Sequence, residues 1–373
     1  MIKRDIQDLI LKKLFKRRAI IIYGARQVGK TTLIKKIIDV CDLPSKYLNC
    51  DEPDIRESLN NKTSTELSQL IGSNKLILID EAQRVINIGI TLKLIIDNYK
   101  DVQVLATGSS SFELSNRISE PLTGRKYEFH LYPFSLSELG QVYNKNEINR
   151  IIETRIINGM YPDVVLNKDE ANHILNDITK SYLYRDVLQF QDIRNPEILN
   201  KLLQALALQI GSEVSYNELS NILKIDKNTV ANYINILEKA FVIFRLRPFS
   251  RNLRNELKKL RKIYFFDTGI RNMLINNLNP LNLRQDSGTL WENFLISERV
   301  KYLNNSGKMK NLFFWRTHQQ QEIDLIEEEG GKMKAYEFKY SRKKYKIPKA
   351  FMDNYPDVDV QLINRDNYMD FLS

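Results

Sequence analysis

The stretch Gly24-Ala25-Arg26-Gln27-Val28-Gly29-Lys30-Thr31 constrains this chain more than any other. It follows the phosphate-cradling pattern G-x-x-x-x-G-K-[ST]. Ahead of it, Ala19-Ile20-Ile21-Ile22-Tyr23 is a short β-branched apolar run suited to a buried parallel strand. Behind it, Thr32-Leu33-Ile34-Lys35-Lys36-Ile37-Ile38 carries its apolar residues at helical spacing. Glycines let backbone N–H groups turn inward around phosphate oxygens, and the helix N-terminus adds the positive end of its dipole. Lys30 is expected to reach the β- and γ-phosphates of a triphosphate, and the Thr31 hydroxyl to sit on Mg²⁺. Gly24 to Thr32 as a whole are the expected nucleotide contacts.

A second segment completes a hydrolytic site. Lys75-Leu76-Ile77-Leu78-Ile79-Asp80-Glu81 is an apolar strand that ends in two acids. Asp80 at the strand end is expected to hold the Mg²⁺ water shell beside the phosphate loop. Glu81, one residue on, is the expected general base that polarises the attacking water. Val102 to Ser110 reads as another buried strand ending in small hydroxyl residues, with Ser109 the chosen γ-phosphate sensor and Thr107 and Ser110 its alternatives. Arg125, at the start of the strand-like Lys126-Tyr127-Glu128-Phe129-His130, is a candidate γ-phosphate or neighbouring-subunit arginine, with Arg117 as competitor.

The composition bounds what the rest can be. At 373 residues the chain is too long for one ordinary core, and no apolar run approaches the roughly 20 residues of a membrane span. Two cysteines and three histidines build neither a disulfide framework nor a zinc site, so a reducing cytoplasm is the expected setting. A net charge of +10 is compatible with a nucleic-acid partner.

The middle of the chain reads as helical. Arg185 falls on a mixed aromatic and charged helix face, where an ion pair is favoured over a nucleotide contact. From Leu199 to Pro248 the spacing suits a helix-turn-helix with a following strand. Ser215 and Glu218 form a capping box, and Thr229 to Ala240 make the third helix. That helix is expected to expose Asn228, Thr229, Asn232, Tyr233 and Asn235, and Phe241 to Leu246 is expected to be a wing strand. Lys224, Lys227 and the basic run Arg251 to Lys262 supply charge nearby.

The C-terminal stretch holds a second candidate chemistry. Glu337 and Lys339 are two apart on a strand and share a face. A hairpin over Glu327 to Lys332 is expected to bring Asp324 beside them, with Glu292 joining from a helix. Asp324 and Glu337 would then hold Mg²⁺ while Lys339 orients hydroxide, an arrangement for phosphodiester hydrolysis. Ile323-Asp324 stands where the usual signature has proline-aspartate.

Taken together, Gly24 to Thr32, Leu78 to Gln83, Ala106 to Ser110, Tyr132-Pro133-Phe134-Ser135, Trp291-Glu292-Asn293-Phe294, Glu322-Ile323-Asp324 and Glu337-Phe338-Lys339 resemble the prokaryotic AAA+/STAND-like ATPases that carry a C-terminal DUF4143 region. The resemblance covers nearly the whole chain. It implies an α/β protein: a P-loop ASCE-type ATPase domain with a parallel sheet, then a helical and winged-helix segment, then a C-terminal α/β restriction-endonuclease-like domain of the PD-(D/E)xK kind. The expected division is 1–145 for the ATPase core, 146–198 for a helical bridge, 199–262 for the winged-helix-like segment and 263–373 for the nuclease-like domain. The expected ligands are ATP and Mg²⁺. DNA is the expected partner, homo-oligomerisation is compatible with the arginine, and no membrane is involved. The competing expectation is an ATP-controlled switch that binds a protein or DNA through a catalytically inactive nuclease-like domain.

Overall fold

The computed structural model describes residues 2–108, 118, 120–182, 195–250, 260–341 and 344–372, so Ser109, Ser110, Arg117, Arg185 and residues 251–259 lie outside the described residues. The fold is mixed α/β and divides into two compact units. One is built mainly from residues 3–133 with 239–241, the other from 134–238 with 242–373.

The first unit holds a five-stranded sheet of β1 (Ala19–Tyr23), β2 (Ser45–Asn49), β3 (Leu76–Asp80), β4 (Gln103–Gly108) and β5 (Lys126–His130). The order is β2-β3-β4-β1-β5, and every neighbouring pair is parallel. Every residue of β1, β3 and β4 is buried. These strands therefore read as mainly apolar runs with polar residues at their ends, the pattern of a sheet covered on both faces. Because all five strands point the same way, the segments leaving β1, β3 and β4 emerge at one edge. Open parallel sheets bind ligands outside that carboxyl edge. Cys50, just after β2, is buried, and burial pushes its thiol up to about 12, which makes it an inert core residue.

The second unit begins with helices, among them Lys145–Asn158, Pro162–Leu166, Ala171–Tyr182, Pro196–Leu208, Tyr216–Leu223 and Lys227–Lys239. Its seven-stranded sheet contains β6 (Glu213–Val214), β7 (Ile243–Pro248), β8 (Arg261–Phe265), β9 (Asn311–Arg316), β10 (Glu322–Glu329), β11 (Lys332–Phe338) and β12 (Asp359–Ile363), in the order β12-β11-β10-β9-β7-β8-β6. The helix Ser287–Asn305 lies against β8 and β11 and buries Leu290, Trp291, Phe294 and Leu295. Among the described residues no helix is long and apolar enough to cross a membrane.

Four local expectations change here. The strand read as a wing is β7, which is hydrogen-bonded into the sheet between β9 and β8. Tyr233 is only 3% exposed, because its place in the helical repeat turns it inward with Val230, Ile234 and Leu237. Lys262, the end of the basic run, is fully buried on β8. Of the expected capping box only one half forms: Ser215 accepts the Glu218 N–H at 3.3 Å and caps the helix Tyr216–Leu223, without a return bond from the Glu218 side chain.

Candidate functional site

In the first unit the site starts at Gly24, the residue after β1. A Cβ there would stand 2.3 Å from the Leu131 carbonyl oxygen, so the close approach admits glycine only. Gln27 at φ 60° and Gly29 at φ 92° then take left-handed backbone, which bends the loop into an amide-lined concavity. The helix Lys30–Cys41 has no acidic residue in its first turn, and its positive end is left unopposed.

Lys30 is buried, and its Nζ donates to the carbonyls of Gly24 at 2.9 Å and Ala25 at 2.8 Å. Thr31 Oγ1 donates to Asp80 Oδ2 at 2.6 Å. Asp80 ends β3 and also accepts from the Tyr47 hydroxyl at 2.8 Å and from the Thr107 hydroxyl. Thr107 Oγ1 in turn accepts the Glu81 N–H at 3.3 Å. Glu81 sits at φ 52°, and its carboxylate accepts from Gln83 Nε2 at 2.5 Å. The loop, the strand-end acid and the residue after it thus share one hydrogen-bonded network, with Thr107 bridging the Asp80 carboxylate and the Glu81 backbone N–H. Its oxygen donors, a hydroxyl and a carboxylate, are of the kind Mg²⁺ prefers.

Two members of this site escape sequence reading. Burial and Asp80 hold the Tyr47 phenol above its ordinary range, so it remains a donor to that carboxylate. The register of β2 against β3 pairs Asn49 with Asp80, so a polar residue two positions earlier was the available signal. Arg4 donates to the Val28 carbonyl at 2.7 Å and to the Tyr132 carbonyl at 2.6 Å, tying the phosphate loop to the chain beyond β5. No local pattern marks it.

Arg125 is not brought to this site. Its Nε donates to Asp97 at 3.0 Å, and its carbonyl accepts the Ala19 N–H at the beginning of β1. The phosphate loop leaves the other end of β1, four residues and roughly 13 Å away along the strand. Ser109 lies outside the described residues, but Tyr23 is paired with Gly108, so the chain leaves β4 level with the start of the loop.

In the second unit the structure gathers Glu292, Asp324, Glu337 and Lys339. The β10–β11 register pairs Leu325 with Tyr336, which sets Asp324 opposite Glu337. Asp324 Oδ2 accepts the Phe338 N–H at 2.8 Å. Lys339 Nζ donates to Glu337 Oε1 at 2.6 Å, while the buried Glu337 Oε2 has no hydrogen-bond partner. The nearby Tyr345 hydroxyl donates to the Glu322 carbonyl at 3.0 Å and also acts on the Glu337 carboxyl, holding it down. Glu322, which the sequence places in a motif but not among the expected site acids, completes a carboxylate trio. One oxygen each from Glu292, Glu322 and Asp324 lie within 4.8 Å of one another.

A cation of the chain itself already stands among them. Lys262 Nζ donates to Glu292 Oε1 at 3.0 Å and to Glu322 Oε1. The Tyr264 hydroxyl also donates to Glu292 Oε1, at 2.6 Å. Burial works against the Lys262 charge, but Glu292, Asp324 and Glu322 outweigh it and hold the ammonium above its ordinary range. Asp324 is pushed well above the usual carboxylate range by burial, then by the charges of Glu292 and Glu337. Burial raises Glu337 as well, against the pull of Lys339. Carboxylates outnumber ammonium groups here, so the cluster favours uptake of a proton or a further cation.

Comparison with known proteins bears on each part. Residues 16–140 match a family model described as an AAA domain. Residues 149–282 and 287–368 match two domains of unknown function, DUF8612 and DUF4143. The chain is 27% identical over 348 residues to an uncharacterized protein of Mycobacterium tuberculosis, covering 90% of this chain and 74% of that protein. It is 27% identical over 355 residues to an uncharacterized protein of Methanocaldococcus jannaschii, covering 87% and 75%. Among solved structures, a chain of the Drosophila ORC bound to AT-rich DNA and Cdc6 aligns with 8% identity and a TM-score of 0.24, covering 73% of this chain and 92% of that one. A score that low establishes neither fold nor partner.

Proposed function

We propose that this chain, with an AAA domain over residues 16–140 and a DUF4143 domain over residues 287–368, binds ATP with Mg²⁺, hydrolyses it and uses the cycle to act on DNA. The observation that carries the hydrolytic part is the Thr31–Asp80–Thr107–Glu81 network at the carboxyl edge of the sheet. Gly24 to Thr32 cradle the phosphates, and Thr31 and Asp80 hold the metal, which neutralises phosphate charge when bound. Lys30 exchanges its two loop carbonyls for phosphate oxygens. Glu81 takes the proton from the attacking water. Thr107 positions both acids, with Ser109 as γ-phosphate sensor. Arg125, far from its own loop, serves the nucleotide of a neighbouring copy.

The work on DNA is assigned to the remaining segments, with 146–198 as a bridge, 199–262 as a winged-helix-like reader and 263–373 as a nuclease-like part. In that last part Asp324 and Glu337 supply metal ligands, Glu292 completes the acid set and Lys339 orients hydroxide. The orphaned Glu337 Oε2 supports this reading, since a buried carboxylate oxygen without a donor is satisfied by a cation. One observation favours a second reading. Lys262 occupies two of the acids, as expected of a nuclease-like scaffold kept for binding under nucleotide control.

ATP hydrolysis and strand cleavage measured on single-stranded, duplex and branched DNA test both. DNA should accelerate hydrolysis, and Lys30→Ala and Glu81→Gln should each lower it by about a hundredfold or more. Cleavage with Mg²⁺ or Mn²⁺ that is lost in Asp324→Ala while hydrolysis persists supports the nuclease. Cleavage of no substrate leaves the switch, and a rate indifferent to all DNA defeats the coupling.

A further inference from the structure

Helix Lys145–Asn158 carries an arginine whose placement calls for a ligand. Arg155 is 3% exposed, and its Nη1 has no hydrogen-bond partner. Buried lysines and carboxylates escape such a position by becoming neutral, but a guanidinium does not lose its proton in proteins. A buried charge without a hydrogen-bonded counter-ion destabilises the fold. Asp267 acts on it through space and favours its charge. Asp267 makes no hydrogen bond to Arg155; its oxygens accept the Met160 N–H at 2.7 Å and the Ile270 N–H at 3.1 Å.

Arg155 lines a cavity of about 130 Å³ together with Tyr143, Thr154, Asn158 and Lys168. Lys168 Nζ stands 5.5 Å from the Tyr143 ring centre, bringing a second cation to the same cavity. The volume exceeds what one or two waters need and falls below the roughly 300 Å³ of a nucleotide-sized pocket. Two cations, with Thr154 and Tyr143 hydroxyls and the Asn158 amide, match the oxygens of a small anion. None of these residues belongs to the phosphate loop or the acid cluster. We propose that this cavity binds a small oxyanion, a phosphate or carboxylate group, with Arg155 as its buried anchor and Lys168 as its second cation.

The test uses the full chain carrying Lys30→Ala, so that phosphate does not bind at the nucleotide loop. Inorganic phosphate and, separately, acetate are titrated calorimetrically at constant ionic strength. The expected result is saturable one-site binding of one or both, and the pair tells which oxyanion is preferred. Adding Lys168→Ala should weaken it by about tenfold, the worth of one charge-assisted hydrogen bond. Adding Arg155→Met should abolish it and raise the melting temperature in anion-free buffer, because the unpaired charge is gone. Absence of saturable binding for both anions overturns the proposal, as does binding that both variants leave unchanged. A lowered melting temperature for Arg155→Met also counts against it, since that marks a guanidinium with a protein partner.

Discussion

A methyl group at position 24 would fall 2.3 Å from the Leu131 carbonyl oxygen, so Gly24→Ala must push the loop away from the chain beyond β5. Overpacking of this kind costs about 1–3 kcal/mol. Urea unfolding should show that loss, and titration with a fluorescent ATP analogue should show binding weakened beyond it. An unchanged affinity would mean that the loop tolerates displacement. Lys262 offers a second single-residue test. Lys262→Met takes the ammonium from Glu292 and Glu322 and leaves them the Tyr264 hydroxyl and Arg316, which should cost up to about 3–5 kcal/mol in metal-free buffer. Mg²⁺ or Mn²⁺ should restore much of the melting temperature by replacing the ammonium. Equal melting with and without metal would argue that the cluster does not take divalent cations.

At the scale of elements, two placements matter. The helix Lys227–Lys239 leaves Asn228 and Asn235 exposed, and Lys224 and Lys227 are exposed beside its start. If this face meets DNA, the double variant Lys224→Glu/Lys227→Glu should lower affinity on every sequence. It should also reduce the salt slope by roughly one for each phosphate no longer neutralised. An unaltered slope would place the DNA elsewhere. A different element junction is fastened by charge. Asp286, just before the helix Ser287–Asn305, accepts from Arg284 at 2.8 Å and from Arg271 at 2.5 Å. Burial raises its carboxyl, but those two guanidinium groups prevail and bring it to about 2. A carboxylate lowered on folding stabilises above its unfolded value, near 4, and loses that contribution as pH falls toward 2. Asp286→Asn should therefore flatten the stability profile between about pH 4 and 2, read as melting temperature against pH. Parallel profiles for the two proteins would remove Asp286 as a determinant.

For the whole molecule, the far placement of Arg125 makes a prediction about assembly. If it serves a neighbouring nucleotide, mixing inactive Arg125→Ala with inactive Lys30→Ala should recover hydrolysis, each supplying what the other lacks. Recovery should approach about a quarter of the wild-type rate for a paired site formed at random. A mixture as inactive as its components would confine Arg125 to its ion pair with Asp97.

Much of the first unit was legible because its logic is contiguous. β1, the glycine loop and the following helix are consecutive residues, and backbone conformation and helix dipole act over that short range. The acids at the end of β3 announced themselves by closing a buried apolar run. The hairpin that faces Asp324 with Glu337 follows from strand alternation across a short turn. Nothing local marked the hydrogen bonds made across strands and loops. Arg4 on the loop carbonyl, Tyr47 and Thr107 on Asp80 and Arg125 at the far end of β1 all depend on which strand lies beside which. Lys262 is the sharpest case. As part of a basic run it reads as a solvated charge, and only the pairing of β8 into the sheet buries it among acids drawn from residues 30 and 60 positions away. Sequence alone determined the phosphate loop and its acids, because neighbours in the chain make them. Tertiary structure decided which hydroxyls meet Asp80 and which acids meet Lys262, because interactions in a buried site depend on distance in space and not along the chain.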